Sequence, residues 1–202
     1  MKRYQKLLIS LLLSVVTCLF AISTANPSQA TNSQLSSNQV DLVNYQKQAE
    51  SELISQSGDS TSQSVQLKRF SAILLGENVY PSAASSNAIG VVGAALNGNR
   101  LIVRGGFNYL SSPLRNYATD PAVPPNPNVT SGVHIHRGTS QQNGAFQYAL
   151  EVQPNSDGLG GTVKGEYTLT DEQLKLLNDG GLYVDLHTQS FRAGELRGVL
   201  KA

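Results

Sequence analysis

The chain holds one cysteine, one methionine and no tryptophan among 202 residues, and only 14% of it is charged. The lone Cys18 lies inside an apolar run near the N-terminus. A protein cleaved after that run keeps no thiol, which excludes disulfides and cysteine metal sites from the mature chain. Basic residues nearly balance acidic ones, with a formal charge of +1, so there is no electrostatic footprint for nucleic acid. No serine sits in a Gly-X-Ser-X-Gly elbow, and no glycine-rich phosphate loop opens a helix. Hydrolase, nucleotide-binding and thiol chemistry therefore have no visible carrier.

What is present begins with Lys2, Arg3 and Lys6, followed by an apolar run from Leu7 to Ile22 and then the small residues Ser23, Ala25, Ser28 and Ala30. This order is that of a secretory signal peptide, with cleavage after Ala25 or Ala30. Loss of residues 1–30 removes three basic and no acidic residues and takes the formal charge from +1 to about −2. The expectation is an exported protein, secreted or held in the periplasm or cell envelope, with no membrane span after cleavage.

Residues 31–64 are rich in Ser, Gln, Asn and Thr and read as a polar, flexible spacer. Within them Val40, Val43, Ala49, Leu53 and Ile54 recur at helical spacing, which predicts a short helix over 40–54, either docked or free. From residue 65 to the end the pattern changes to short β-type runs punctuated by Gly, Asn, Pro and Asp, and this segment, 65–202, reads as one domain. Strands are expected near 67–75, 88–96, 100–109, 132–137, 145–152, 161–169, 182–187 and 195–200. Asn97-Gly98-Asn99 joins two of them as a hairpin. Thr170 and Gln173 form a capping box for a short helix that Asp179-Gly180-Gly181 ends. The prolines between Ser111 and Ser131 predict a long exposed loop. The fold class is all-β, an antiparallel Greek-key sandwich or barrel, immunoglobulin-like or superoxide-dismutase-like, with one short helix in the domain.

All three histidines fall in two of these strands. His134 and His136 are two apart, so both rings point to one face. His187 follows Tyr183 and Asp185 on the face opposite Leu182, Val184 and Leu186. If the strands are neighbours, the three imidazoles form a site for copper or zinc, with Asp185, Glu195 or water as a fourth ligand. Glu195, Asp185 and Arg197 are also the residues placed to orient the rings, Glu195 as a hydrogen-bond acceptor. The alternatives are solvated or hydrogen-bonded histidines, and a same-strand ion pair between Glu195 and Arg197.

Taken together, Phe70-Ser71-Ala72-Ile73-Leu74-Leu75-Gly76, His134-Ile135-His136-Arg137-Gly138, Tyr183-Val184-Asp185-Leu186-His187-Thr188 and Gly194-Glu195-Leu196-Arg197-Gly198 resemble the CHRD, or chordin-type, domain. The resemblance runs from Phe70 to Leu200 and is closest to the single-domain type of exported microbial proteins. Phe191-Arg192-Ala193 departs from the Pro and Gly residues common before the last block. The resemblance implies an extracellular β-fold and no accepted enzymatic reaction. The expected function is a non-enzymatic binding or structural module whose partner is an extracellular or cell-envelope protein or glycan. The alternative is a copper- or zinc-binding redox protein resembling Cu/Zn superoxide dismutase.

Overall fold

A computed structural model describes residues 41–56 and 67–202. The signal-peptide reading and most of the spacer lie outside the described residues. The elements in chain order are helix α1 (Leu42–Ser55), β1 (Lys68–Leu75), β2 (Ile89–Asn97), β3 (Arg100–Asn108), β4 (Val133–Arg137), β5 (Phe146–Ala149), β6 (Glu151–Pro154), β7 (Gly161–Thr168), helix α2 (Asp171–Asn178), β8 (Leu182–Leu186) and β9 (Leu196–Val199). The nine strands pair antiparallel in the order β5-β4-β8-β9-β1-β2-β3-β7-β6.

The two ends of that order are consecutive in sequence. A single strand was expected over 145–152; the chain instead changes partners at Leu150, pairing with β4 before it and with β7 after it. Leu150 is buried and its N–H donates to the Val133 carbonyl at 2.9 Å. This switch brings the sheet edges together into a nearly closed barrel or sandwich. It leaves few unpaired strand edges, which is how antiparallel folds avoid edge-to-edge association.

The core is built by strand alternation. Phe70, Ala72 and Leu74 of β1 meet Val92, Ala94 and Leu96 of β2, Leu101, Val103 and Phe107 of β3, and Leu182, Val184 and Leu186 of β8. The β2–β3 hairpin turns at Gly98-Asn99, where Gly98 takes a φ of +59° that a side chain would oppose. In α2 the Thr170 hydroxyl accepts from the Gln173 N–H at 3.3 Å while the Gln173 side chain accepts from the Thr170 N–H at 3.0 Å. Leu177 is buried and Leu174 packs partly against the core.

The helix that the sequence left docked or free is docked. Ala49 and Leu53 of α1 pack with Ala95 and Ile102 on the outer face of β2 and β3, so these strands are apolar on both faces. Two glycines, Gly93 in β2 and Gly106 in β3, make room for the helix. A Cβ on Gly93 would lie 2.7 Å from the Gln46 backbone N, and one on Gly106 would strike the Tyr45 hydroxyl. Glu50 with Arg69, and Glu52 with Arg104, add ion pairs from α1 to β1 and β3. Because Leu53 is 1% exposed, Leu53→Ala should destabilise the protein by about 2–4 kcal/mol, the usual cost of a buried leucine truncation. Urea unfolding of the two proteins measures it; a loss below about 0.5 kcal/mol, the range of an ordinary surface change, would mean that α1 adds nothing to the core.

Candidate metal centre

β4 and β8 are neighbours, and their register decides the site. Val133 pairs with Leu186 and Ile135 with Val184 on the core side. The opposite face therefore carries the pairs His134–Asp185 and His136–Tyr183, and the next strand adds Arg197 beside Asp185. His187 follows directly after β8, where its N–H donates to the Gly132 carbonyl at 2.8 Å. The three imidazoles expected to converge do so. One ligand-type atom from each of His134, His136, His187 and Asp185 lies within 4.8 Å of all the others.

Each ring is held by a backbone carbonyl. His134 Nε2 lies 2.6 Å from the Ser131 carbonyl oxygen, His136 Nδ1 3.0 Å from that of Gly144, and His187 Nδ1 3.0 Å from that of Arg192. A carbonyl can only accept, so these nitrogens carry the protons and the tautomers follow. The other nitrogens, His134 Nδ1, His136 Nε2 and His187 Nε2, are then bare lone pairs at 3.9, 3.3 and 3.1 Å from Asp185 Oδ1. Asp185 Oδ1, His136 Nε2 and His187 Nε2 are buried without a hydrogen-bond donor. Four acceptors facing one another with no donor between them is a costly arrangement unless a cation sits among them.

The separations suit such a cation. A tetrahedral ion with ligand bonds of about 2.0–2.1 Å has edges of about 3.3 Å, close to the distances from Asp185 Oδ1 to His136 and His187, while His134 Nδ1 stands farther off at 3.9 Å. Bonds from the opposite ring nitrogens to carbonyls fix ring orientation and raise ligand basicity in known histidine metal sites.

The electrostatics reflect the same crowding. Burial, reinforced by the neighbouring His187, holds the His134 imidazole down to about 4. For His136, burial acts downward, but the Asp185 carboxylate beside it favours the protonated ring more strongly and the pKa is raised. Burial likewise opposes ionisation of Asp185, yet the imidazoles win and hold its carboxyl well below the usual carboxylate range.

The face is covered. Tyr117 lies 5.3 Å from the His134 ring and 6.4 Å from His187, and Phe146 lies 5.4 Å from His134. Tyr183 stacks on His136 at 5.3 Å and 8°. Tyr117 comes from the proline-rich loop, which is the long and largely exposed excursion expected over residues 111–131 but is tied down near its start. The loop is strapped down: Leu114 bridges to Thr188, the Arg115 N–H donates to the His187 carbonyl at 2.9 Å, and the Arg115 guanidinium stacks on Tyr117 at 4.5 Å. An aromatic and a leucine within a polar, proline-rich stretch were the available signal.

Glu195 requires a further correction, because it touches no imidazole. Its carboxylate accepts from Ser86 Oγ at 2.6 Å, the Ser111 N–H and hydroxyl at 2.8 and 2.9 Å, and Thr188 Oγ1 at 2.6 Å. It joins three loops in a buried knot. Nor does it pair with Arg197, whose carboxylate partner is Asp185. Glu195→Ala should cost about 3 kcal/mol or more, since a buried N–H and several hydroxyls lose their acceptor. Chemical denaturation tests this, and a loss under about 1 kcal/mol would contradict it.

An antiparallel β-sandwich carrying a buried histidine–carboxylate cluster on one sheet face is the class that fold and site define. The CHRD domain model matches residues 70–200, and the chain belongs to the CHRD domain family. Comparison with curated proteins and with solved structures gives no match. Among the described residues no helix is long and apolar enough to cross a membrane.

Proposed function

We propose that this chain is an exported, non-enzymatic CHRD module in which His134 Nδ1, His136 Nε2, His187 Nε2 and Asp185 Oδ1 hold one divalent transition-metal ion, zinc or copper. Its partner is an extracellular or cell-envelope protein or glycan. The observation that carries the metal reading is the convergence of buried acceptors with no donor among them. Neutral imidazole and carboxylate are the donor set that zinc accepts, and imidazole also suits copper.

The same observation favours a structural ion over the redox alternative. Catalytic metal sites keep a position open for water or substrate, whereas structural zinc sites are closed by four protein ligands. Here four protein atoms are available to fill such a shell, with the Tyr117 and Phe146 rings packed beside it. Export is supported by the basic start, apolar run and small-residue exit of residues 1–30.

Isothermal titration of chelator-treated protein with zinc, and separately with copper, tests the metal reading. A single site per chain is expected, lost in His187→Ala. Heat no greater than dilution for both ions would overturn it. N-terminal sequencing of exported protein tests the other half: a mature start at residue 26 or 31 is expected, and a soluble cytosolic product retaining Met1 would contradict it.

A further inference from the structure

Asp185 uses its two oxygens differently. Oδ1 faces the imidazoles and has no donor. Oδ2 accepts from Arg197 Nη2 at 3.4 Å. The guanidinium is itself held from outside: Nη2 also donates to Asn143 Oδ1 at 2.9 Å, Nη1 donates to the Gln142 carbonyl at 3.2 Å, and the group lies over the Tyr183 ring at 4.2 Å. Arg197 is 2% exposed, and strand register sets its place beside Asp185.

A carboxylate beside a divalent cation can bind through one oxygen or chelate through both. Swinging Oδ2 toward an ion among the histidines would break its charge-assisted bond to Arg197. It would also leave a buried guanidinium without a counter-charge, a state proteins avoid. The hold is rigid because the guanidinium is fixed at two further points and stacked on a ring that also stacks on His136.

We infer that Arg197 is a positioning residue that keeps Asp185 a one-oxygen ligand and so closes the site at three nitrogens and one oxygen; this rests on the metal reading above. A closed tetrahedral shell suits Zn²⁺ and Co²⁺, whereas Cu²⁺ prefers a tetragonal arrangement. Arg197 thereby sets which ion the site fits by geometry, without touching the ion.

Cobalt serves as the probe because its visible absorption is intense in a four-coordinate site and weak when a fifth ligand joins. The mature full-length protein, Arg197→Met and Arg197→Lys are loaded with Co²⁺ and compared. The native protein should show the intense four-coordinate spectrum. Arg197→Met should still bind cobalt with an absorption several-fold weaker, as Oδ2 joins the shell, and Arg197→Lys should recover most of the native intensity by restoring the charge. If Arg197→Met does not fold by circular dichroism, Asn143→Ala loosens the guanidinium without altering a ligand and should shift the spectrum in the same direction. Equal intensity in native and variant proteins, with cobalt bound in each, would overturn the role of Arg197 and leave the metal reading intact. Failure of the metal-free native protein to bind either cobalt or zinc would overturn the metal reading itself.

Discussion

Zinc added to metal-free protein should raise its thermal midpoint, and removal of any one imidazole should abolish that rise. An ion that binds only the folded state at about one hundred times its Kd stabilises by about 2.7 kcal/mol. For a chain of this size that corresponds to about 5–10 °C. The gain arises because the folded protein already holds four acceptors together without a donor, and the unfolded chain has no such set. His136→Ala and His187→Ala should each weaken zinc binding by more than about a hundredfold, since even a group that merely orients a ligand is worth about 10–100-fold. Scanning calorimetry with and without zinc reads the effect, whatever each substitution does to the midpoint without metal. A midpoint unmoved by zinc in the native protein, or a rise that persists in both variants, would contradict the account.

Acid should release the ion, and the histidines should not behave alike. Metal and proton compete for the same lone pairs. The proton competes more strongly at His136, with its raised pKa, than at His134. A group titrating at or above the ordinary imidazole value of about 6.5 costs at least about twentyfold in affinity between pH 7 and pH 5. His134, held down to about 4, scarcely competes in that range.

In the metal-free protein the two rings act oppositely on stability. For His134, the unfolded chain takes a proton that the folded one refuses, so stability falls as pH drops from about 6.5 toward about 4, by about 3 kcal/mol in all. His136 has a raised folded pKa. Its contribution is fully present below about 6.5 and is lost as pH rises through its folded value. Proton NMR titration of the three rings in metal-free protein should show His136 protonated and His134 neutral at pH 5. The reverse order, or a zinc affinity independent of pH, would sink this part of the account.

The histidine geometry was half legible. An i, i+2 spacing on a strand fixed the common face of His134 and His136, and the apolar alternation of Leu182, Val184 and Leu186 put Asp185 and His187 opposite the core. Local patterns cannot show that β4 and β8 are neighbours, because β5 to β7 and α2 lie between them in sequence. The carbonyls that fix the tautomers were invisible for another reason: Ser131, Gly144 and Arg192 contribute only backbone, which every residue possesses. Arg192 lies in the loop that departs from the family pattern, and that departure still supplies the hold on His187.

Glu195 illustrates a different limit. Its position near His187 in sequence suggested an imidazole partner, but its donors come from Ser86, Ser111 and Thr188 on three separate loops. A buried carboxylate takes whichever donors the fold delivers. The strand break at Leu150 was hidden because a continuous β-run does not reveal where its pairing partner changes. Tyr117 was masked by the prolines around it, whose composition resembles that of a solvated loop.

The central claim is that His134, His136, His187 and Asp185 together hold one metal ion. X-ray absorption at the zinc edge, on mature protein reconstituted with one zinc per chain at neutral pH, tests it most directly. The account predicts a four-coordinate ion with imidazole and oxygen ligands at about 2.0–2.1 Å, and loss of an imidazole shell in His136→Ala. A six-coordinate, water-rich ion with no imidazole scattering, unchanged by that substitution, would contradict it.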